Sequence, residues 1–305
     1  MKNERGFFVP LRPGMKKEKI VGHSAMMGAE IMWGLGAPLG KVVFAGSVTP
    51  LLLTDFRIVG AAILFWVVSF FIEEPEVSVR DHLALFGASL LAIVLNQGFF
   101  MLGLSYTTPI NATIITTSLP IVTILMAAVF LHERVTRSKV GGVFLGAVGA
   151  LVLITGGSEV AGTGSVRGDL MVLTAQICFS CYLIFFKGLI GRYKAVTLMK
   201  WMFTYATLCM LPVSVMPMAA LPWESISAIE WWICVAYAVG PTFLSYLLLP
   251  LGQARLSPAV VSIYNYVQPV VAAAVAVWAG MDTFTPAKAA AVVLVFTGVF
   301  LVSRR

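Results

Sequence analysis

The sequence predicts an all-α polytopic membrane protein, with ten transmembrane helices arranged as two inverted five-helix repeats. Three observations lead there. The chain is too apolar to make a water-facing surface. Its Lys and Arg residues punctuate long apolar runs with a consistent sidedness. Its second half echoes its first at a nearly constant offset.

Of 305 residues, 59% are hydrophobic and 11% charged, and the mean hydropathy is +0.92. Soluble domains carry about 25% charged residues. This composition excludes an ordinary cytosolic enzyme, a disordered chain and a disulfide-stapled secreted module. Ten spans of about 20 residues would use roughly 200 positions, leaving short loops and one tail. The formal charge of +7 does not point to nucleic acid, because the cations lie between apolar runs and form no basic face. Cys178, Cys181, Cys209 and Cys234 all fall inside apolar runs and read as reduced, buried thiols. The Cys178-x-x-Cys181 spacing lacks the soluble βα context of a redox motif.

Residues 1–19 form a basic tail with Lys2, Arg5, Arg12, Lys16, Lys17 and Lys19. The apolar stretch behind it, 20–45, has no convincing cleavage site and reads as a retained helix 1. Helix 2 is expected near 48–72. Between His82 and His132 lie 49 residues without a charge. A single helix of that length would be about 74 Å long, so the run must turn, and Tyr106-Thr107-Thr108-Pro109 is the turn signal. That places helix 3 near 83–105 and helix 4 near 109–131. Helices 5 to 10 follow near 138–156, 168–188, 196–219, 228–250, 256–279 and 285–303.

Loop charges test this order. With a cytoplasmic N-terminus, 17 of the 21 Lys and Arg residues fall on the inner side. Lys41, Arg57, Arg167 and Lys288 remain outside. This sidedness predicts that both termini are cytoplasmic, in a plasma (inner) membrane.

Gly103–Ile154 aligns with Gly252–Ser303 at an offset of 149 without gaps, with 11 of 52 positions identical. Pro109 meets Pro258, Pro120 meets Pro269, Thr136 meets Thr285 and Lys139 meets Lys288. A weaker echo at offset 146 pairs Ala29 with Ala175, Ile31 with Ile177 and Lys41 with Lys187. The organisation expected is a first repeat over 20–156, an outer linker over 157–166, a second repeat over 167–303 and a cytoplasmic end at 304–305. Five is odd, so the second repeat must enter the membrane from the opposite face. Inverted repeats of this kind build secondary transporters around a midplane site.

The residues Trp33-Gly34, Lys41 and Arg57 resemble a signature of the drug/metabolite transporter superfamily. So do Gly103-Leu104-Ser105-Tyr106-Thr107-Thr108, Pro120 and the corner Glu133-Arg134-Val135-Thr136. The chain is most similar to EamA-type permeases, over about 20–303. The resemblance implies ten helices in two inverted repeats, and export or exchange of small organic solutes such as amino acids, metabolites or drugs. It also implies a central cavity lined mainly by helices 1, 3, 4, 6, 8 and 9, with helices 5 and 10 peripheral. One departure is that the second repeat carries Asp282-Thr283 where the first has Glu133-Arg134.

Polar groups deep in a span need a partner or a wet cavity. Glu30 lies mid-helix 1, on a stripe with Trp33, Gly34, Ala37 and Lys41, and is the candidate proton-coupling or cation-binding group. Lys41, about 16 Å further along the axis, is expected to snorkel outward or to meet Asp55. Asp55 and Arg57 are structural ion-pair candidates. Asn96 and Gln97 (helix 3), Asn111 (helix 4), Gln176 (helix 6), Tyr246 (helix 8) and Tyr264, Asn265 and Gln268 (helix 9) are the remaining cavity candidates. The last three share one face beside Pro269, which frees a carbonyl about one turn earlier. Gly142, Gly146 and Gly149 read as helix contact or a dimer face.

No nucleophile–base pair, paired membrane carboxylates or metal set is legible. No catalytic residue, cofactor or metal is therefore assigned. The partners expected are a small-molecule substrate, the lipid bilayer, protons for coupling and a second copy of the chain in a homodimer; nucleic acid is not expected. The rival classes are an intramembrane enzyme and a membrane scaffold that does not transport.

Overall fold

The structure is a computed structural model that describes residues 13–44, 46–107, 112, 115–155, 165–219, 223–279 and 285–303. Among these the regular secondary structure is entirely helical. We number the helices α1 (Pro13–Phe44), α2 (Pro50–Ser69), α3 (Val79–Ser89, Leu90–Leu95 and Asn96–Tyr106), α4 (Leu119–Phe130) and α5 (Arg137–Thr155). They continue as α6 (Val166–Phe185), α7 (Ala195–Ala219), α8 (Ala228–Tyr237, Ala238–Leu244 and Ser245–Gln253), α9 (Pro258–Ile263, Tyr264–Tyr266 and Val267–Trp278) and α10 (Pro286–Ser303).

Among the described residues, seven segments are long and apolar enough to cross a bilayer: Pro50–Ser69, Val79–Gly103, Val166–Phe185, Ala195–Val215, Ala228–Gln253, Pro258–Val275 and Pro286–Ser303. They lie on seven of the ten ranges expected to cross. The described part of α4 has 12 residues, and α1 and α5 also stand outside this set.

Helix ends follow local chemistry. Thr49 caps α2 by accepting from the Leu52 amide at 3.2 Å, with Pro50 at the first helical position. Ser78 caps α3 through the Asp81 amide, which moves its start four residues ahead of the expected 83. Ser227 and Glu230 form a reciprocal capping box on α8. α1 begins at Pro13, so part of the expected tail is helical; Lys and Glu are good helix formers. Residues 1–12, most of the linker 157–166, Thr108-Pro109, Asn111, Asp282-Thr283 and 304–305 lie outside the described residues. After α4, His132 takes a left-handed φ of 52°, the place a glycine usually holds.

Two helices widen into π-turns, at Leu90–Leu95 in α3 and at Ala238–Leu244 in α8. The second contains Pro241, which lacks an amide for the normal ladder. In α9 the expected disturbance before Pro269 is a 3₁₀ turn over Tyr264–Tyr266.

Packing sorts eight helices into two groups. α1 and α2 pack on α8, and α1 also on α9; α6 and α7 pack on α3, and α6 also on α4. The groups meet where α2 runs against α7 and α4 against α9. α5 and α10 pair with each other beside α9. Phe65, stacked on Phe203 at 5.6 Å, lies in the α2–α7 seam.

The glycine stripe of α5 is consumed inside the molecule. A Cβ on Gly142 would stand 2.7 Å from the Gly298 carbonyl oxygen of α10, and one on Gly149 2.6 Å from that of Ala291. Gly146 abuts the Tyr266 ring of α9. Of the two readings the sequence allowed for this stripe, helix contact is the one realised. Small residues of this kind let helix backbones approach closely in lipid. We expect Gly149→Val to destabilise the protein by roughly 1–3 kcal/mol through overpacking. Gly141→Ala, which meets nothing within 4 Å, should be neutral or slightly stabilising. Melting temperatures in detergent check both.

Candidate functional site

Several of the residues singled out from the sequence come together from both groups. α1 supplies Glu30, which is buried, and its carboxylate accepts from Gln268 Nε2 of α9 at 2.6 Å. The amide is a neutral donor, so it satisfies one oxygen without supplying a counter-charge. One turn along α1, Trp33 stands edge-on to Tyr246 of α8 at 5.5 Å and to Phe179 of α6 at 6.4 Å. Trp33 thereby touches both groups.

From the other side, α3 contributes neighbouring amides just beyond its π-turn. Asn96 donates to the Ala175 carbonyl of α6 at 2.9 Å, holding α3 to α6. Gln97 donates at 3.5 Å to the Tyr246 hydroxyl and at 3.4 Å to the Asn96 side chain. Gln176, next to Ala175, is buried on α6. The result is a band of one carboxyl, several amides, a phenol and an indole. It can hydrogen-bond a polar solute and stack on its apolar part.

Other candidates lie apart from this band. Tyr264 bonds the His23 ring at 2.8 Å, two turns of α1 below Glu30. Asn265 is half-buried in the 3₁₀ turn. Arg57 goes to neither carboxylate: its Nε donates to Thr242 at 3.1 Å and its guanidinium lies 5.1 Å from the Tyr237 ring centre. Asp55 is buried beside Ser214 of α7, yet neither carboxylate oxygen nor that hydroxyl makes a hydrogen bond of acceptable geometry. The Lys41 side chain and Asn111 lie outside the described residues. The four cysteines are free thiols.

The corner after α4 is structural. Glu133 pairs with Lys139 at 2.9 Å and stands 3.9 Å from Lys187. Thr136 accepts from the Lys139 amide at 3.3 Å and so caps α5.

Sequence reasoning missed a cavity of about 430 Å³ at the end of the molecule that holds the start of α1. Glu18 and Arg255, bonded at 2.6 Å, line one wall, and Arg192, Tyr193 and Lys194 line the other. Those walls belong to different helix groups. Asp81 accepts from Tyr193 at 2.7 Å and holds that phenol above its ordinary value. Loop cations placed between spans were the signal for sidedness, but nothing local in the sequence brings residue 18 to residue 255. Above this cavity, Tyr182 of α6 donates to Gln253 Oε1 of α8 at 2.9 Å and ties the groups together.

An all-helical chain with apolar helices and a polar band at its middle defines an integral, multi-pass membrane protein of the transporter class. Two segments, residues 20–155 and 166–304, match the model of the EamA-like transporter family. The chain belongs to that family and so to the drug/metabolite transporter superfamily. It is 27% identical over 283 residues to the probable terminal-alkyne amino-acid exporter of Streptantibioticus cattleyicolor, covering 90% of this chain and 91% of that one. It is 20% identical over 258 residues to the Bacillus subtilis protein named uncharacterized transporter YetK, covering 83% and 78%. A 35% identical stretch of 98 residues matches uncharacterized transporter YyaM of the same organism, 32% of this chain and 30% of the relative. The match to an Archaeoglobus fulgidus transporter spans 57% of that relative. A solved crystal structure shares the fold at a TM-score of 0.76 and 19% identity, over 94% of this chain and 96% of that one.

Gln253 Nε2 already lacks a partner, so Tyr182→Phe would also strip Oε1. We expect a loss of about 1–3 kcal/mol for that stranded amide, read as a lower midpoint of thermal unfolding. The double variant Tyr182→Phe, Gln253→Leu should recover most of it.

Proposed function

We propose that the protein is a secondary transporter of the plasma (inner) membrane that moves small organic solutes by alternating access. In this reading ten helices form two inverted repeats, 20–156 and 167–303, joined by an outer linker, with both termini cytoplasmic. The observation that carries it is reciprocity of contact. At offset 149, Gly142 corresponds to Ala291 and Gly149 to Gly298, and the close approaches are Gly142 to Gly298 and Gly149 to Ala291. A pair of contacts that exchanges its members is what a two-fold axis produces.

Further pairs support the same axis. Thr117 and Tyr266 correspond at 149 and bond each other at 3.1 Å; Gln97 and Tyr246 also correspond and meet at 3.5 Å. Residues that touch their own counterparts lie near the axis. The π-turn of α3, shifted by 149, falls on 239–244, inside that of α8. Thr136 caps α5 through Lys139, and Thr285 caps α10 through Lys288, both at 3.3 Å. The family model matching the chain twice points the same way.

The solute would sit in the band made by Glu30, Trp33, Asn96, Gln97, Gln176, Tyr246 and Gln268, with Asn265 one turn before Gln268 on α9. Amides and aromatic rings suit a compact polar solute with an apolar part, and the exporter relative favours an amino acid. Glu30 is the candidate for proton coupling, because its bonded partner is a neutral amide that can serve either protonation state.

In proteoliposomes loaded with an amino-acid mixture we expect saturable counterflow, and no exchange with any of these solutes would count against the solute class. Glu30→Gln should abolish the pH dependence of that flux; a full, still pH-dependent flux would remove Glu30 from coupling. Gln268→Ala and Asn265→Ala should shift solute affinity several-fold at unchanged protein level, and unaltered kinetics in both would take α9 out of the site.

A further inference from the structure

The seam between α2 and α7 joins the two helix groups, and its two ends are built differently. At the end that holds the start of α1, Glu74, in the segment after α2, is ion-paired with Lys200 of α7. Both side chains are largely buried, 14% and 9% exposed. Thr197 donates to the other carboxylate oxygen at 2.9 Å. The Lys200 ammonium lies 4.6 Å from the Trp66 ring centre and 5.5 Å from that of Trp201. Trp66 is itself fixed by donating to Thr204 at 2.9 Å, and it stands edge-on to Trp201 at 5.5 Å. Next to the pair, Lys194 donates to the Glu73 carbonyl at 2.6 Å.

At the opposite end the seam offers Asp55 and Ser214, which face each other unbonded. One end is therefore closed by a buried, hydrogen-bonded ion pair clasped between two indoles, while at the other the described residues offer Asp55 beside Ser214 and no ion pair. Were α2 and α7 to move apart at the closed end, the pair would break and Lys200 would leave both rings.

We propose that the Glu74–Lys200 pair, clasped by Trp66 and Trp201, is the latch that closes the cytoplasmic end of the α2–α7 seam. The proposal rests on the alternating-access reading, and assigns a conformational role to residues outside the solute band. Rocking the groups to open the cytoplasmic side must part this pair, while the far end of the seam carries no such ion pair among the described residues. Removing one partner strands a buried charge, which water relieves only if the seam opens. The variants therefore shift a population between two conformations and do not create a new one.

The test is a spin-label distance measurement on the full chain in lipid nanodiscs, with the four native cysteines replaced by alanine. Labels at Phe70→Cys and Gly188→Cys straddle the latched end; both positions are open to solvent, and Gly188 has nothing within 4 Å of a Cβ. Labels at Ile229→Cys and Val166→Cys, both exposed, straddle the other end. Glu74→Gln and Lys200→Met should each enlarge a longer-distance population at the first pair and shorten the second. The exchange Glu74→Lys with Lys200→Glu should restore the original distribution. Two distances at the latched end that ignore both single variants would overturn the latch and leave the rocking of the groups intact. A charge exchange that behaves like the single variants would also overturn it, because packing and not pairing would then hold the seam. One fixed distance at both ends in every variant would overturn alternating access itself, and the latch with it.

Discussion

Lipid offers no hydrogen bonds, so each polar group placed at membrane depth must find its partner inside the protein. Hydroxyls solve this cheaply by bonding one turn back along their own helix. Thr54 bonds the Pro50 carbonyl, Thr174 that of Leu170, Thr207 that of Phe203 and Thr297 that of Val293. Such bonds hold nothing else in place. Other polar side chains reach across, among them some hydroxyls, such as Ser89 to the Met202 carbonyl. Glu30 to Gln268, Asn96 to Ala175 and Tyr182 to Gln253 each fix one helix against another. The interhelical polar bonds thus trace the packing, and a residue that leaves this rule unmet, as Asp55 does, marks a place where two helices are not held together by polar bonding.

Glycine governs the remaining contacts, since lipid tails are as apolar as leucine and give helices little reason to associate. Backbones gain by approaching closely. Gly103 of α3 lies against Gly168 of α6, where a Cβ would stand 2.8 Å from the Gly168 carbonyl oxygen. Gly252 of α8 lies against Gly22 and Met26 of α1. Both contacts lie inside a helix group. The α2–α7 seam is filled instead by Phe65, Trp66, Trp201 and Phe203. Backbones interlock within each group, whereas the seam between the groups is packed with aromatic rings. That distribution of side chains is what a protein of two rocking bodies requires.

Much of this was legible in the sequence because it is local. The disturbance before Pro269 depends on residues within a turn; the Ser78 cap is just as local, although the expected helix 3 starts at 83 and passes over it. The small-residue spacing of α5 was legible too, although its partner α10 was not. The rest depends on how each helix is rotated and raised against its neighbours. Tyr264 shares a face with Gln268, yet finds His23, 241 positions away. Arg57 lies two residues from Asp55 and bonds Thr242 instead. Lys200 counts among the inner-side cations and falls inside the expected helix 7, but its burial with Glu74 in the second turn of α7 has no signal in the sequence. A charge count sees sidedness and cannot see depth.

A two-fold frame with unlike side chains has a mechanical consequence. Backbone contacts that exchange across the proposed axis, such as those of α5 and α10, cost the same in either conformation and so favour neither. Any preference must come from positions where the halves differ chemically. At offset 146, Glu30 of α1 corresponds to Gln176 of α6, so a titratable carboxyl faces an amide counterpart. The seam differs likewise, with a clasped ion pair at one end and unbonded Asp55 and Ser214 at the other. A ligand shifts an equilibrium only by its differential affinity for the two states. In the proposed mechanism that difference would be concentrated in Glu30, inside the band, and in Lys200, at the seam. Under the proposed mechanism the near-symmetric frame would make two conformations accessible, and these two ionisable side chains would decide which of them is occupied.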